Sequence, residues 1–187
     1  MPVIEQSRVG EYWQFADVLQ QQFQNALYEL EHWRDHDVYS VFVDVGRKLV
    51  AAGHTTLMDV GAGAGQYGML WLGQCGGRKY LASNTDWVNE FYDMDAPIAL
   101  TAAAIEYDQN PHAIISQWAE AKWSPMILHR LRFHDLPAAH IHEVSYFGAM
   151  VPMWRWNRDE LSALLAGRNV ERIIWPHNPN QETWVVT

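Results

Sequence analysis

One stretch constrains this chain more than any other. Thr55-Thr56-Leu57-Met58-Asp59-Val60 is a short β-type run that meets Gly61-Ala62-Gly63-Ala64-Gly65, and helix-forming Gln66-Tyr67-Gly68-Met69-Leu70-Trp71-Leu72 follows. Small residues at that junction let the backbone turn sharply from strand to helix, and let a ligand approach the main-chain amides that open the helix. The bland alternative is a structural turn with no ligand, for which an unbroken Gly/Ala run is a poor choice for stability. The same segment contains Gly63-Ala64-Gly65-Gln66-Tyr67-Gly68, which satisfies the dinucleotide pattern G-x-G-x-x-G and keeps a nicotinamide or flavin reading open. Against it, this match starts well past Val60, and the strand comes after a long helical prefix rather than near Met1.

The prefix reads as two helices. Ala16, Leu19, Phe23, Leu27, Leu30 and Arg34 step by three or four, so an amphipathic helix is expected to end near His36. Asp37 can cap a second, with Val38, Val41, Phe42, Val45 and Leu49 as its apolar stripe and Gly53 as its stop. Beyond the glycine turn, Lys79–Ala82, Ile98–Ala102 and Met126–Leu128 read as further strands. Asn110-Pro111 starts a helix through Ile114, Ile115 and Trp118, and Asn157 with Glu160 has capping-box spacing before Leu161, Leu164 and Leu165. Arg172–Trp175 and Thr183–Val186 flank a turn-rich Pro176–Asn180 connection, which predicts a terminal hairpin. Alternating strands and helices indicate an α/β sheet with helices on both faces, whose ligands bind at the carboxyl ends of the strands. We divide the chain into a helical cap, 1–54, and an α/β domain, 55–187, forming one structural unit.

Composition narrows the partners. Among 187 residues the net charge is −9, which argues against nucleic acid, because phosphate binding draws on clustered Lys and Arg. Residues 129–187 are balanced in charge, so the acidity sits in the first two thirds. Cys75 is the one cysteine, the start lacks the layout of a secretion signal, and no apolar run approaches the roughly 18–20 residues of a membrane span. A cytoplasmic protein without membrane partners is expected, and a homodimer is compatible with the sequence. The ten Trp are either core or the lining of a pocket for a ringed ligand. Trp71, Trp118, Trp175 and Trp184 have apolar neighbours that suit packing, while Trp13, Trp33, Trp87, Trp123, Trp154 and Trp156 are less settled.

An acidic residue two before the first glycine of G-x-G-x-G, behind a helical prefix, resembles the class I S-adenosylmethionine-dependent methyltransferases. The resemblance runs from about Val38 to the end, on Leu57–Gly68, on Leu100-Thr101-Ala102-Ala103-Ala104-Ile105-Glu106-Tyr107-Asp108-Gln109-Asn110-Pro111, and on the hairpin. It is closest to methyltransferases of unknown acceptor in which the fourth strand leads into a Tyr-x-x-Asn/Asp-Pro segment. It implies a Rossmann-like α/β sheet with a C-terminal antiparallel hairpin and S-adenosyl-L-methionine as cofactor. Carried over by position, Asp59, Gly61, Gly63, Gly65 and Tyr67 would bracket the methionine end, and Ala104, Ile105, Glu106 and Tyr107 would lie against the cofactor. The ribose slot falls among Ser83, Asn84 and Asp86, where the family usually has an acidic residue. Only Trp87 to Ala96 separates this strand from the next, so the family's third strand does not fit and the middle is shortened. Trp87, Phe91 or Tyr92 could cover the base instead, with ordinary packing as the alternative.

Methyl transfer is an in-line displacement at a sulfonium, so the protein has to align an acceptor and, for a hydroxyl, remove a proton. The histidines near the fourth predicted strand supply candidate bases: His134 first, then His129 and His140. Each has a structural alternative. For the acceptor, Arg130, Trp154 and Trp156 offer pairing and stacking, and Tyr39 and Tyr146 join them as candidate lining. His32 with His36, and His140 with His142, have chelating spacings but no third ligand, so no metal is expected. The reading is methyl transfer to a small-molecule acceptor, a hydroxyl by preference. Two rivals stand beside it: an NAD(P)-dependent oxidoreductase using Gly63, Gly65 and Gly68, and a methyltransferase-like subunit without catalysis.

Overall fold

The computed structural model describes residues 37–62, 65–83, 98–120, 124–144 and 150–187. The expected first helix, Trp13, Trp33, Trp87, Trp123, Asn84, Asp86, Gly63 and Tyr146 lie outside the described residues.

The second expected helix is α1, Asp37–Ala51, and Gly53 beyond it is left-handed, with φ 99°. Strand β1 is Thr56–Val60, and helix α2, Gln66–Leu70, follows the glycine turn. The helical pattern expected through Leu72 changes pitch at Trp71, where a wider π turn runs from Trp71 to Cys75. Gly68 is where α2 touches the sheet. A Cβ there would stand 2.5 Å from the Tyr80 ring, so only glycine lets the helix lie this close. Next come β2 (Lys79–Ser83), β3 (Ile98–Ala102), a 3₁₀ turn (Ile105–Tyr107) and helix α3 (Pro111–Glu120). The Ala113 amide donates to Asn110 Oδ1 at 3.2 Å, the cap expected from Asn110-Pro111.

Strand β4, Met126–Arg132, is longer than its apolar run, so His129, Arg130 and Leu131 belong to the strand and not to a loop after it. Hairpin β5 (Ala139–Val144) with β6 (Met150–Arg155) makes a separate two-stranded sheet. Helix α4, Arg158–Leu164, is capped by Asn157, which accepts from the Asp159 and Glu160 amides. The reciprocal half of the capping box is absent, because Glu160 Oε2 accepts from the Ala138 amide instead. Strands β7 (Val170–Ile174) and β8 (Gln181–Val186) form the expected terminal hairpin.

Among the described residues the main sheet has six strands in the order β2-β1-β3-β4-β8-β7. The first four are parallel, and β8 runs antiparallel to both its neighbours. Alternation along each strand splits the core. Met58, Val60, Ala99, Met126 and Leu128 face α3 and α4 together with Trp118, Trp156 and Trp184. Leu57, Ile98, Leu100 and Ile127 face α1 and α2 with Phe42, Tyr67 and Trp71. Trp71, Trp118, Trp175 and Trp184 are all buried, as their neighbours imply, and Trp156 joins them. Among the described residues no helix is long and apolar enough to cross a membrane.

Candidate active site

The chemistry gathers where β1, β3 and β4 end side by side. Asp59 follows the inward alternation of Leu57 and is 1% exposed. The Tyr80 hydroxyl donates to Asp59 Oδ2 at 2.8 Å from the adjacent strand. Burial pushes the Asp59 carboxyl up to about 7, only partly offset by Tyr80. A carboxyl in that state attracts a cation brought to it, because a positive partner restores what burial removed.

Three residues on these strands or just past them take the left-handed conformation. Gly61 after β1 has φ 75°, Ala103 after β3 has φ 58°, and Arg130 within β4 has φ 62°. A left-handed conformation costs a non-glycine residue about 1–2 kcal/mol, so two such residues at one edge are held there by their surroundings. At Gly61 the reason is steric as well: a Cβ would lie 2.2 Å from the Ala104 Cβ, so the turn after β1 packs directly on the loop after β3. The loop is tied in turn to β4, through the Ala103 amide donating to the His129 carbonyl at 3.2 Å.

Arg130 sits in a β-bulge. Leu128 pairs with Trp184 and Leu131 with Glu182, so β4 spends one residue more than β8 over that span. The extra residue returns Leu131 to the α3/α4 face and leaves Arg130 at the edge between faces. Its positive charge is felt both by Tyr67 on the α2 side and by Glu106 on the other. Tyr67 is buried against Phe42, with ring centroids 4.9 Å apart, and its hydroxyl lies beside the Arg130 guanidinium. Burial drives the Tyr67 phenol well above its ordinary value, and Arg130 opposes the shift.

Glu106, on the 3₁₀ turn, is 1% exposed. The Trp156 indole N–H donates to its Oε1 at 3.3 Å, and its Oε2 has no partner. Burial raises the Glu106 carboxyl to about 7 against the lowering effects of its own backbone amide, Trp156, Arg130 and Arg132. Ala104 is half-buried, Ile105 is buried, and Tyr107 is 49% exposed at the rim.

The candidate bases separate cleanly. His129 is fully buried, and both ring nitrogens are engaged: Nε2 with the Val38 carbonyl and Nδ1 with Thr183 Oγ1, each at 2.7 Å. A carbonyl can only accept, so Nε2 carries the proton and Nδ1 accepts from the Thr183 hydroxyl. The Trp175 indole N–H donates to that same Thr183 oxygen at 2.9 Å, which completes the chain. Burial holds the ring neutral, with its pKa down at about 3. His129 therefore has no free nitrogen for an acceptor's proton. His134 is half-buried, and its Nδ1 accepts from the Leu136 amide at 3.0 Å. His140 is exposed and donates through Nε2 to the Asp108 carbonyl at 2.8 Å. Trp154 packs edge-on against His112 and His140, with centroids 4.9 and 4.8 Å away. Tyr39 is buried on α1, with its ring centroid 6.1 Å from that of Tyr67. Among the described residues no group of three His, Cys, Asp or Glu is placed to hold a metal.

The arrangement of strands and helices has counterparts in solved structures. The Streptomyces venezuelae protein DesVI superposes with a TM-score of 0.52 at 12% identity, over 86% of this chain and 96% of that one. The sugar N-methyltransferase KedS8 from Streptoalloteichus gives 0.52 at 13%, over 86% and 92%. An O-methyltransferase family protein from Burkholderia thailandensis gives 0.51 at 13%, over 90% and 62%. The chain has the class I methyltransferase fold. No protein-family model and no curated protein matches it in sequence. Within the methyltransferase fold, Asp59, Gly61, Tyr67, Ala104, Glu106 and Arg130 are drawn to one edge of the sheet, while His134, His140 and Trp154 stand with the β5–β6 hairpin. Glu106 was expected only as part of a cofactor loop. Its burial and its Trp156 partner are not legible in the motif, since Trp156 lies 50 residues away in sequence.

Proposed function

We propose that this chain binds S-adenosyl-L-methionine and transfers its methyl group to a small-molecule hydroxyl. The observation that supports this most is Asp59: a buried carboxyl at the end of β1, held by Tyr80 and beside a left-handed glycine turn. The cofactor's methionine end carries an ammonium, and a buried carboxylate is a strong partner for it. The residues fit the group on their own terms, since the buried Asp59 carboxyl is held by the neutral Tyr80 hydroxyl and has no counter-charge among the described residues, which a cationic ligand would supply. Asp59 and Tyr67 would hold the methionine end, with Ala104 and Ile105 against the body of the cofactor. When bound, the sulfonium supplies the electrophilic methyl. The protein's task is then to align the acceptor, exclude water and take up a proton.

The nicotinamide reading is not favoured, because Gly68 is accounted for by the close packing of α2 on Tyr80. A thermal-shift panel with S-adenosylmethionine, S-adenosylhomocysteine, NADH and FAD separates the readings. Stabilisation by the first two alone is expected. Stabilisation by NADH alone would support the oxidoreductase, and no response to any ligand would support a subunit without catalysis.

A further inference from the structure

Glu106 Oε2 is a buried acceptor with no partner, whereas the other buried carboxylates among the described residues each take a donor. Asp37 takes two donors from His177, Glu182 takes Arg158 and the Trp184 indole, and Asp59 takes Tyr80. Leaving such an oxygen unpaired costs about 1–3 kcal/mol, and an exception of this kind calls for an explanation. No described cation stands within ion-pair distance of it, although Arg130 and Arg132 are near enough to be felt. The carboxyl is also aimed: Trp156, itself fully buried, pins Oε1 and so fixes which oxygen is left over. The backbone places it two residues beyond Ala104, which packs on the Gly61 turn, and one before the exposed Tyr107. It therefore belongs to the proposed cofactor loop, next to the exposed Tyr107.

Resting on the methyl-transfer reading above, we propose that Glu106 receives the acceptor's proton, so that the acceptor is a proton-bearing nucleophile whose O–H or N–H meets Oε2. In the step, the acceptor's lone pair forms the new bond to the methyl carbon and the carbon–sulfur bond breaks. Its electron pair stays on sulfur as the neutral thioether, and the acceptor's proton passes to Oε2. Charge balances because the cationic sulfonium and the carboxylate are both neutralised. A carboxyl raised toward neutrality by burial is suited to this, since a general base works best near the ambient pH. Arg130 keeps the emptied carboxylate from rising further.

The test compares wild type, Glu106→Gln and His134→Ala. With phenol, catechol and glycerol as oxygen nucleophiles and ethylamine as a nitrogen one, Glu106→Gln is expected to lower S-adenosylhomocysteine release by about a hundredfold or more. It should also abolish the rise of kcat with pH through neutrality, with S-adenosylhomocysteine affinity within about twofold of wild type. His134→Ala should keep that rise. In parallel, carboxyl-13C-glutamate NMR of the wild-type complex with S-adenosylhomocysteine should show one side chain titrating near neutral pH, its signal absent in Glu106→Gln. Glu106→Asp supplies the assignment if the amide variant does not fold. Wild-type turnover in Glu106→Gln, or a Glu106 signal that stays ionised from about pH 5 to 9, overturns the proposal, and the titration decides whichever nucleophile turns over. Failure of wild type to bind S-adenosylhomocysteine would instead overturn the methyl-transfer reading beneath it.

Discussion

Tyr80 on β2 donates its hydroxyl to Asp59 on β1 across 2.8 Å, and that bond is the counterweight to burial at a carboxyl raised to about 7. The raised value has a definite sign. Between the unfolded value near 3.8 and about 7, the folded protein binds the proton more tightly than the unfolded chain. Asp59's contribution to stability therefore falls as pH rises through that window and levels off above it. Ligand binding runs the other way, because an ammonium pairs with the ionised form. S-adenosylhomocysteine affinity, measured by calorimetry, should weaken as pH falls below about 7, approaching tenfold per pH unit. Tyr80→Phe removes the donor and should move the onset of weakening to higher pH.

Gly61 cannot accept a side chain where it stands. Gly61→Ala combines left-handed strain of about 1–2 kcal/mol with a Cβ overlap on Ala104, so a urea-unfolding loss above about 2 kcal/mol is expected. In an Ala104→Gly background the overlap disappears and only the backbone strain should remain, about 1–2 kcal/mol. Equal losses in both backgrounds would mean that the two turns do not press on each other.

The chain Trp175, Thr183, His129, Val38 ties the terminal hairpin and β4 to α1. Thr183→Val keeps the shape and leaves the Trp175 N–H and His129 Nδ1 unpaired in the core. At about 1–3 kcal/mol for each orphaned group, chemical denaturation should show a loss of about 2–6 kcal/mol.

Asp37 is buried at the start of α1, and His177 gives it a backbone N–H and a ring contact, both at 2.7 Å. Burial alone would raise this carboxyl; the His177 bonds outweigh it and hold it below its ordinary 3.8. Its stabilisation is therefore complete above the unfolded value and is lost as pH falls through the folded one. Asp37→Asn should be less stable near neutral pH by about 1–2 kcal/mol and lose part of the acid limb in a stability profile.

What the sequence discloses here is local. The Asp59 strand and its glycine turn, the Asn110-Pro111 and Asn157 caps, and the hairpin around Pro176–Asn180 are written in consecutive residues, and each stands where its pattern put it. What stays hidden is decided across the chain. His129 looks like a base until Val38, 91 residues before it, and Thr183, 54 after it, occupy both nitrogens. The Arg130 bulge depends on how many residues β8 spends opposite β4, and β5–β6 pairing lies across a chain reversal. Glu106 reads as one residue of a loop, and only Trp156 and the burial around it set it apart.

If the Asp59 edge holds the proposed sulfonium cofactor, titration calorimetry with S-adenosylhomocysteine at pH above 7 will register it. Wild type should bind, and Asp59→Asn, which keeps size and fold while removing the charge, should bind at least about tenfold more weakly. No heat from wild type at millimolar ligand, or equal affinity in Asp59→Asn, would contradict the account.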